Sequence, residues 1–140
     1  MDSLNTTAVA ELIRHLADAG LLDGRRLVIG VAGESGSGKS TAAEQVARLL
    51  NARGVPTAFI NQDNYFVRPP RTNHEFRLQD LANVGPHEVQ LSLIANHIEA
   101  FRTGTPVTAP EVNYPANRFE SVSRDFAGLQ VLIVEGTYVL

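Results

Sequence analysis

One short segment constrains this chain more than any other. Residues 33–40 read Gly-Glu-Ser-Gly-Ser-Gly-Lys-Ser, between an apolar run and an amphipathic pattern. They match G-x-x-x-x-G-K-[ST] in full, and the flanking patterns predict the strand before and the helix after that this motif requires. Its glycines let successive backbone N–H groups face one anion, and the following helix adds its positive N-terminal end. The segment predicts a nucleotide-phosphate loop; the alternative is a Gly/Ser-rich turn without a ligand.

The residue types in this loop indicate how a nucleotide would be held. Lys39 supplies a flexible positive charge that can reach the β- and γ-phosphates. The Ser40 hydroxyl is positioned to ligate a Mg²⁺ ion that bridges them, and Thr41 is expected to hold the α-phosphate. The other residues expected to enclose the phosphates are Gly33, Glu34, Ser35, Gly36, Ser37 and Gly38. ATP and Mg²⁺ are therefore the predicted cofactors.

The apolar periodicity predicts strands that alternate with helices. The expected elements are a helix at 8–19, a strand at 27–32, a helix at 39–52, a strand at 57–61, a polar loop at 64–86, a helix at 87–101, a short proline-interrupted strand within 105–114 and an apolar strand at 131–134. This order favours a three-layer α/β/α fold with a mostly parallel sheet. We expect a single domain over residues 1–140, with its core in 26–140.

Two acids follow predicted strands. Asp63 comes just after the strand at 57–61, and Glu135 ends the apolar run at 131–134. Because the carboxyl ends of parallel strands lie at one edge of a sheet, both carboxylates are expected beside the phosphate loop. Asp63 is a candidate base for an acceptor hydroxyl and a candidate Mg²⁺ contact, and Glu135 a Mg²⁺ ligand through water. The alternatives are an Asx turn at Asp63 and a capping role for Glu135.

Composition excludes several classes of function. A net charge of −3 leaves no basic stripe for nucleic acid. Zero cysteines exclude disulfides and thiolate metal sites. The four histidines lack the i, i+4 spacing of a metal pair and are interpreted as surface or core-edge residues. Without a signal peptide or an apolar run of about twenty residues, a cytoplasmic enzyme with no membrane partner is expected. The sequence leaves homo-oligomerisation open.

Three segments together resemble the uridine kinase and phosphoribulokinase family of P-loop kinases. They are the loop at 33–40, Gln-Asp-Asn-Tyr-Phe at 62–66 and Val-Leu-Ile-Val-Glu-Gly at 131–136. The resemblance implies transfer of the γ-phosphate of ATP to a nucleoside 5′-hydroxyl, with uridine or cytidine as first choice. It assigns Asp63 to activating that hydroxyl and Glu135 to Mg²⁺. The alternatives are a phosphoribulokinase-like or other small-metabolite kinase, an ABC-type ATPase fragment and a non-catalytic nucleotide-binding domain.

The resemblance also suggests where an acceptor would bind. Residues 85–89 are similar to a family His-Pro-Asp segment, which makes Asp80 a candidate ribose contact. Residues 112–118 correspond to a Tyr-Asp followed by a base-contacting histidine, where this chain has Tyr114, Asn117 and the neighbouring Arg118. From chemistry alone, Tyr65 and Phe66 could stack on a base or pack under the loop. Four arginines could approach phosphate or ribose or be solvated: Arg68, Arg71, Arg77 and Arg118.

Family members are expected to continue beyond the segments matched here. The resemblance implies a later arginine-bearing lid, further strands and an adenine-contacting loop. We therefore expect the 140 residues to be a truncated chain, with the run at 27–32 left as an apolar sheet edge. Because lid arginines neutralise charge in phosphoryl transfer, this chain is expected to bind nucleotide better than it turns it over.

Overall fold

The computed structural model describes residues 3–33 and 39–139. Within them the elements are α1 (Ser3–Asp18), β1 (Leu27–Ala32), α2 (Lys39–Ala52), β2 (Thr57–Asn61), α3 (Pro70–Gln79), α4 (Leu91–Thr103), β3 (Val107–Asn113), β4 (Arg118–Arg124) and β5 (Val131–Gly136). Short 3₁₀ turns cover Gln62–Tyr65, Leu81–Asn83 and Pro86–Glu88. The predicted bounds of β1, α2 and β2 are confirmed.

The central sheet is parallel, with β5 between β1 and β2. All six residues of β5 are buried, whereas β1 and β2 are mostly half-buried. A continuous apolar run is typical of such a central strand, because both of its faces are covered. In the register of the sheet, Glu135 lies opposite Val31 on one side and Asn61 on the other. The ends of all three strands therefore meet at one edge.

Helices cover both faces of this sheet. Val131 and Ile133 point to one face, where they pack with α1 and α2. Leu132 and Val134 point to the opposite face, where they pack with α4. Successive strand residues face opposite sides, so β5 contributes to both apolar clusters. This arrangement confirms the predicted α/β/α layers.

The predicted loop at 64–86 is wrong, because it contains helix α3. Its sequence has no apolar stripe, and Leu78 is 74% exposed, so hydrophobic periodicity gives no helical signal there. The helix begins at Pro70, where a missing N–H costs nothing. The predicted start of the next helix at residue 87 is also wrong: α4 begins at Leu91, after the turn that carries Glu88 into the interior.

β3 and β4 form an antiparallel hairpin, in which they pair along their whole length. β3 falls within the strand predicted at 105–114, whereas β4 is not predicted from the sequence. Its two apolar residues, Phe119 and Val122, are three apart and so do not alternate. Pro110 lies inside β3 opposite Ser121, in a two-stranded ladder whose free edges tolerate a residue without an N–H.

Tyr65, in the first 3₁₀ turn, and His97, in α4, form a buried polar pair. Tyr65 is 2% exposed, and its hydroxyl lies 2.7 Å from Nδ1 of His97. His97 is 5% exposed, so it lies deeper in the core than the surface or core-edge position predicted for the histidines. Burial, with a smaller effect of Arg124, lowers the pKa of His97. Neutral His97 can then pair with the Tyr65 hydroxyl, whose own pKa is raised by burial. Tyr65 is a core residue, not a stacking surface for an acceptor.

Replacing Tyr65 by phenylalanine is expected to destabilise the protein. The change leaves Nδ1 of buried His97 without its partner, a loss of about 1–2 kcal/mol. Urea unfolding monitored by circular dichroism measures this difference. Tyr114→Phe, at a residue 57% exposed, is the matched control and is expected to stay within about 0.5 kcal/mol of wild type. Equal midpoints for the two variants would contradict the assignment.

Candidate active site

The predicted phosphate loop lies between described elements of the expected kind. β1 ends at Ala32, Gly33 follows, and α2 begins at Lys39. The strand, connection and helix order is the context that the motif requires. Thr41 is exposed in the first turn of α2. Outside the described residues lie Glu34, Ser35, Gly36, Ser37 and Gly38, and with them the side chains of Lys39 and Ser40.

Glu135 and Gly136 are held against the end of β2. Glu135 is 2% exposed although it is a carboxylate at the end of a strand. A Cβ on Gly136 would lie 2.4 Å from Cβ of Gln62, so a larger residue would force these strand ends apart. Oε1 of Gln62 accepts a hydrogen bond from the backbone N–H of Tyr138 at 2.8 Å. Gln62 thus joins the two strand ends, a role for which the sequence carries no local signal.

Asp63 presents its carboxylate at this edge. It lies in the 3₁₀ turn after β2 and is exposed. The Asx interaction in this turn belongs to Asn61, whose Oδ1 accepts the backbone N–H of Asp63 at 2.9 Å. The Asp63 carboxylate makes no hydrogen bond to another described residue. It is therefore available to a hydroxyl or a cation.

A cleft of about 220 Å³ opens beside Asp63. It brings together the predicted site residues Asp63, Phe66 and Tyr114. Its other lining residues are two of the candidate arginines, Arg68 and Arg77, together with Pro70, Asn73 and His74. Partial burial, and then the negative charge of Asp63, raise the pKa of Tyr114. The cleft thus combines two aromatic side chains with a carboxylate that makes no hydrogen bond to any described residue.

A buried carboxylate supports the wall of the cleft formed by α3. Glu88 is fully buried and accepts hydrogen bonds from the Arg77 guanidinium, from Nδ2 of Asn73 at 2.8 Å and from the Gly85 N–H at 2.7 Å. Burial alone would raise its pKa, but hydrogen bonds from Arg77, Gly85 and Asn73 lower the pKa of Glu88 from 4.5 to about 2. Arg77 is therefore a structural ion-pair partner, not a solvated loop residue.

Other residues predicted to contact an acceptor have structural contacts elsewhere. Oδ1 of Asn117 accepts the Arg71 N–H at 2.9 Å, and its Nδ2 donates to Thr72 at 3.0 Å, which fixes the start of α3. Asp80 caps a turn by accepting the Ala82 N–H. Arg118 pairs with Glu120 at 3.2 Å. None of the predicted contacts Asp80, Asn117 and Arg118 lines the cleft.

The described residues contain neither a metal-binding cluster of acids and histidines nor a membrane-spanning helix. No group of three His, Cys, Asp or Glu side chains within 3–33 and 39–139 is placed to hold a metal ion. In the same ranges, no helix combines the length and the apolar character needed to cross a bilayer. The Ser40 hydroxyl expected at Mg²⁺ is outside the described side chains, so the predicted site stays a prediction.

Known proteins resemble this chain in sequence and in fold. A uridine kinase of Deinococcus deserti is 30% identical over 116 residues, which are 83% of this chain and 55% of that protein. A "Possible Uridine Kinase" from Bacillus stearothermophilus superposes with a TM-score of 0.70 at 18% identity, over 82% of this chain and 62% of that one. The phosphoribulokinase of Rhodobacter spheroides gives 0.55 at 15% identity, with 82% and 44% covered.

These likenesses agree with a family-level match. The solved structures show a P-loop kinase fold, as predicted. This chain spans about half the length of the curated relatives that it matches. The model of the phosphoribulokinase / uridine kinase family matches residues 28–140, which include both carboxylates and the phosphate-loop motif. The chain belongs to the phosphoribulokinase / uridine kinase family.

Proposed function

We propose that this kinase transfers the γ-phosphate of ATP to the 5′-hydroxyl of a nucleoside, uridine or cytidine. The observation that carries the proposal is the exposed carboxylate of Asp63, which has no hydrogen-bond partner among the described residues and lines a cleft at the carboxyl end of β2. Phosphoryl transfer requires a group that orients the acceptor hydroxyl and accepts its proton. A carboxylate at this strand end meets that need. A cytoplasmic location, expected from the sequence, remains part of the proposal.

On the phosphate side, this chain supplies amides, a lysine and oxygen ligands. Residues 33–38 would surround the phosphates with backbone N–H groups, and Lys39 would bind the β- and γ-phosphates. The oxygens of Ser40, Asp63 and Glu135 are donors of the type that Mg²⁺ prefers, and both acids lie at one sheet edge. When bound, Mg²⁺ would neutralise charge on the transferring phosphoryl group.

On the acceptor side, the cleft offers a base and flat apolar surfaces. Asp63 would accept a hydrogen bond from the acceptor hydroxyl, hold it in line with the γ-phosphate and take its proton. Phe66 and Tyr114 both line the cleft and can stack on a planar base. Because Glu88 neutralises Arg77, two of the charges near the cleft cancel. These features support a neutral nucleoside as the phosphoryl acceptor.

A phosphorylated sugar is the second candidate, and Arg68 favours it. The Arg68 guanidinium lies 3.7 Å from the ring centroid of Phe76 and lines the cleft. It forms no salt bridge with any described carboxylate. A guanidinium held in this way is suited to a phosphate or carboxylate of the acceptor.

Acceptor consumption tests the proposal directly. The purified protein is incubated with Mg-ATP and uridine, cytidine or ribulose 5-phosphate, and ADP and phosphorylated product are measured by mass spectrometry. Formation of a nucleoside 5′-monophosphate is the expected result. Product from ribulose 5-phosphate alone would favour the second candidate. ATP binding without transfer to any acceptor would contradict the proposal and favour a non-catalytic nucleotide-binding domain.

A further inference from the structure

A second groove, of about 540 Å³, lies between the edge of β2 and the β3–β4 hairpin. This β2 groove shares no lining residue with the cleft beside Asp63. The 3₁₀ turn Gln62–Tyr65 contributes Asp63 to the cleft and Asn64 to the β2 groove, so the turn borders both cavities. The proposed transfer reaction makes no use of the β2 groove.

Arg124 brings a positive charge into the β2 groove. Nη1 and Nη2 of its guanidinium both donate to the Phe59 carbonyl at 3.1 Å, which holds the side chain over the edge of β2. The residue is half-buried, and it forms no salt bridge with any described carboxylate. A guanidinium has five N–H donors, so further donors remain for a ligand. A half-buried positive charge without a counterion favours binding of an anion.

Two asparagines that line the β2 groove offer further donors. Oδ1 of Asn61 accepts the Asp63 N–H at 2.9 Å, and Oδ1 of Asn64 accepts the Val112 N–H at 3.0 Å. These backbone donors fix which end of each amide is the oxygen. Neither Nδ2 group has an acceptor among the described residues, and neither is buried. Both Nδ2 groups can therefore donate to a bound molecule.

Glu111 is the one carboxylate among the described residues that line the β2 groove. In the hairpin, Val107 is the partner of Arg124, and Glu111 lies four residues further along β3. At about 3.3 Å per residue, the Cα atoms of Val107 and Glu111 are about 13 Å apart. The negative charge therefore lies towards the other end of the β2 groove and leaves the Arg124 end to an anion.

We propose that the β2 groove binds a small organic anion, whose phosphate or carboxylate group pairs with Arg124 and whose other oxygens accept hydrogen bonds from Asn61. Arg124 holds the carbonyl of Phe59, which is two residues before Asn61, or about 7 Å along the strand. A molecule of about this length can contact both residues. Because Oδ1 of Asn61 holds the N–H of Asp63, the anion would contact the segment that carries the proposed base.

Nuclear magnetic resonance titration of the isotopically labelled wild type tests binding at these residues. The probes are citrate and glycerol 3-phosphate, a carboxylate and a phosphate of suitable length. At least one probe is expected to shift the side-chain NH₂ signals of Asn61 and Asn64 and the Nε–H signal of Arg124. Shifts with one probe alone would support the inference and identify the anionic group. Absence of shifts at these signals with both probes would overturn it.

Ser123→Glu tests whether the charge of Arg124 attracts the anion. Alanine at Arg124 would leave the Phe59 carbonyl without its donor, so the variant instead adds a carboxylate at an exposed residue that lines the β2 groove. The affinity for the bound probe, measured by the same titration, is expected to fall about tenfold or more, because like charges repel.

Ser121→Glu is the matched control, because Ser121 is exposed on the same strand but does not line the β2 groove. It should bind the probe within about twofold of wild type. An anion bound at residues 33–40 would not distinguish the two variants, so the comparison separates the β2 groove from the predicted phosphate loop. Equal affinities of Ser123→Glu and Ser121→Glu would overturn the inference, whether or not the protein transfers phosphate.

Discussion

Asparagine in place of Asp63 is expected to slow phosphoryl transfer by about 10²- to 10⁴-fold, the range typical for loss of a general base. The variant keeps the shape of the side chain but cannot accept a proton from the acceptor hydroxyl. The Asp63 carboxylate makes no hydrogen bond to another described residue, and the side chain is exposed, so the free energy of unfolding should change by less than about 0.5 kcal/mol. Steady-state kcat, with urea unfolding alongside, measures both effects.

Substitution of a second exposed aspartate distinguishes loss of the catalytic base from a general loss of negative charge. Asp80 is also exposed and directly precedes a 3₁₀ turn, which it caps by accepting the Ala82 N–H, but it does not line the cleft. Asp80→Asn is expected to retain kcat within about threefold of wild type. If Asp63→Asn turned over as fast as Asp80→Asn, Asp63 would not be the base, and the proposed acceptor side of the site would be wrong.

Removing the Glu88 carboxylate is expected to cost about 3 kcal/mol of unfolding free energy. Alanine at this position leaves the Arg77 guanidinium, Nδ2 of Asn73 and the Gly85 N–H without their acceptor. Breaking a fully buried pair costs about 3–5 kcal/mol. The Arg77 side chain is 38% exposed and can be solvated, so the lower end of that range applies. Urea unfolding at pH 7 measures the loss.

The dependence of stability on acid pH provides a second test of the Glu88 interactions. Its pKa is lowered from 4.5 to about 2, so the native protein favours the ionised form. The lowered pKa contributes about 3 kcal/mol to the free energy of unfolding. This stabilisation is fully present above pH 4.5 and is lost as the pH falls towards about 2. Glu88→Gln should lack that part of the acid dependence, whereas Glu99→Gln, at an exposed glutamate, should keep it. Equal acid dependence in the two variants would contradict the assignment.

The parts of the fold that followed from the sequence are those with a local signal. β5 is a continuous apolar run because it is buried on both faces, and α2 shows helical periodicity because one side packs on the sheet. Asp63 could be placed because it lies two residues after the end of the strand Thr57–Asn61. Its position at the common edge then follows from parallel topology.

The parts that could not be predicted depend on contacts between distant residues. Helix α3 has no apolar stripe and is stabilised through Glu88, which lies 15 residues from Asn73 and 11 from Arg77. Asn117 was assigned to an acceptor from its place in the sequence, but it caps this helix from 46 residues away. In both cases a polar side chain forms a hydrogen bond or an ion pair with a group in another element. Hydrophobic periodicity along the sequence does not reveal such contacts.

Residues 33–40 are expected to bind the phosphates of a nucleotide, and calorimetric titration with Mg-ATP tests this expectation most directly. Lys39 supplies the positive charge of this motif, so Lys39→Ala should retain the fold but bind Mg-ATP at least about tenfold more weakly than wild type. Wild type is expected to bind one Mg-ATP per chain, and the variant is expected to bind it more weakly by this factor. Absence of binding to wild type, or equal affinity in both proteins, would contradict phosphate binding at residues 33–40.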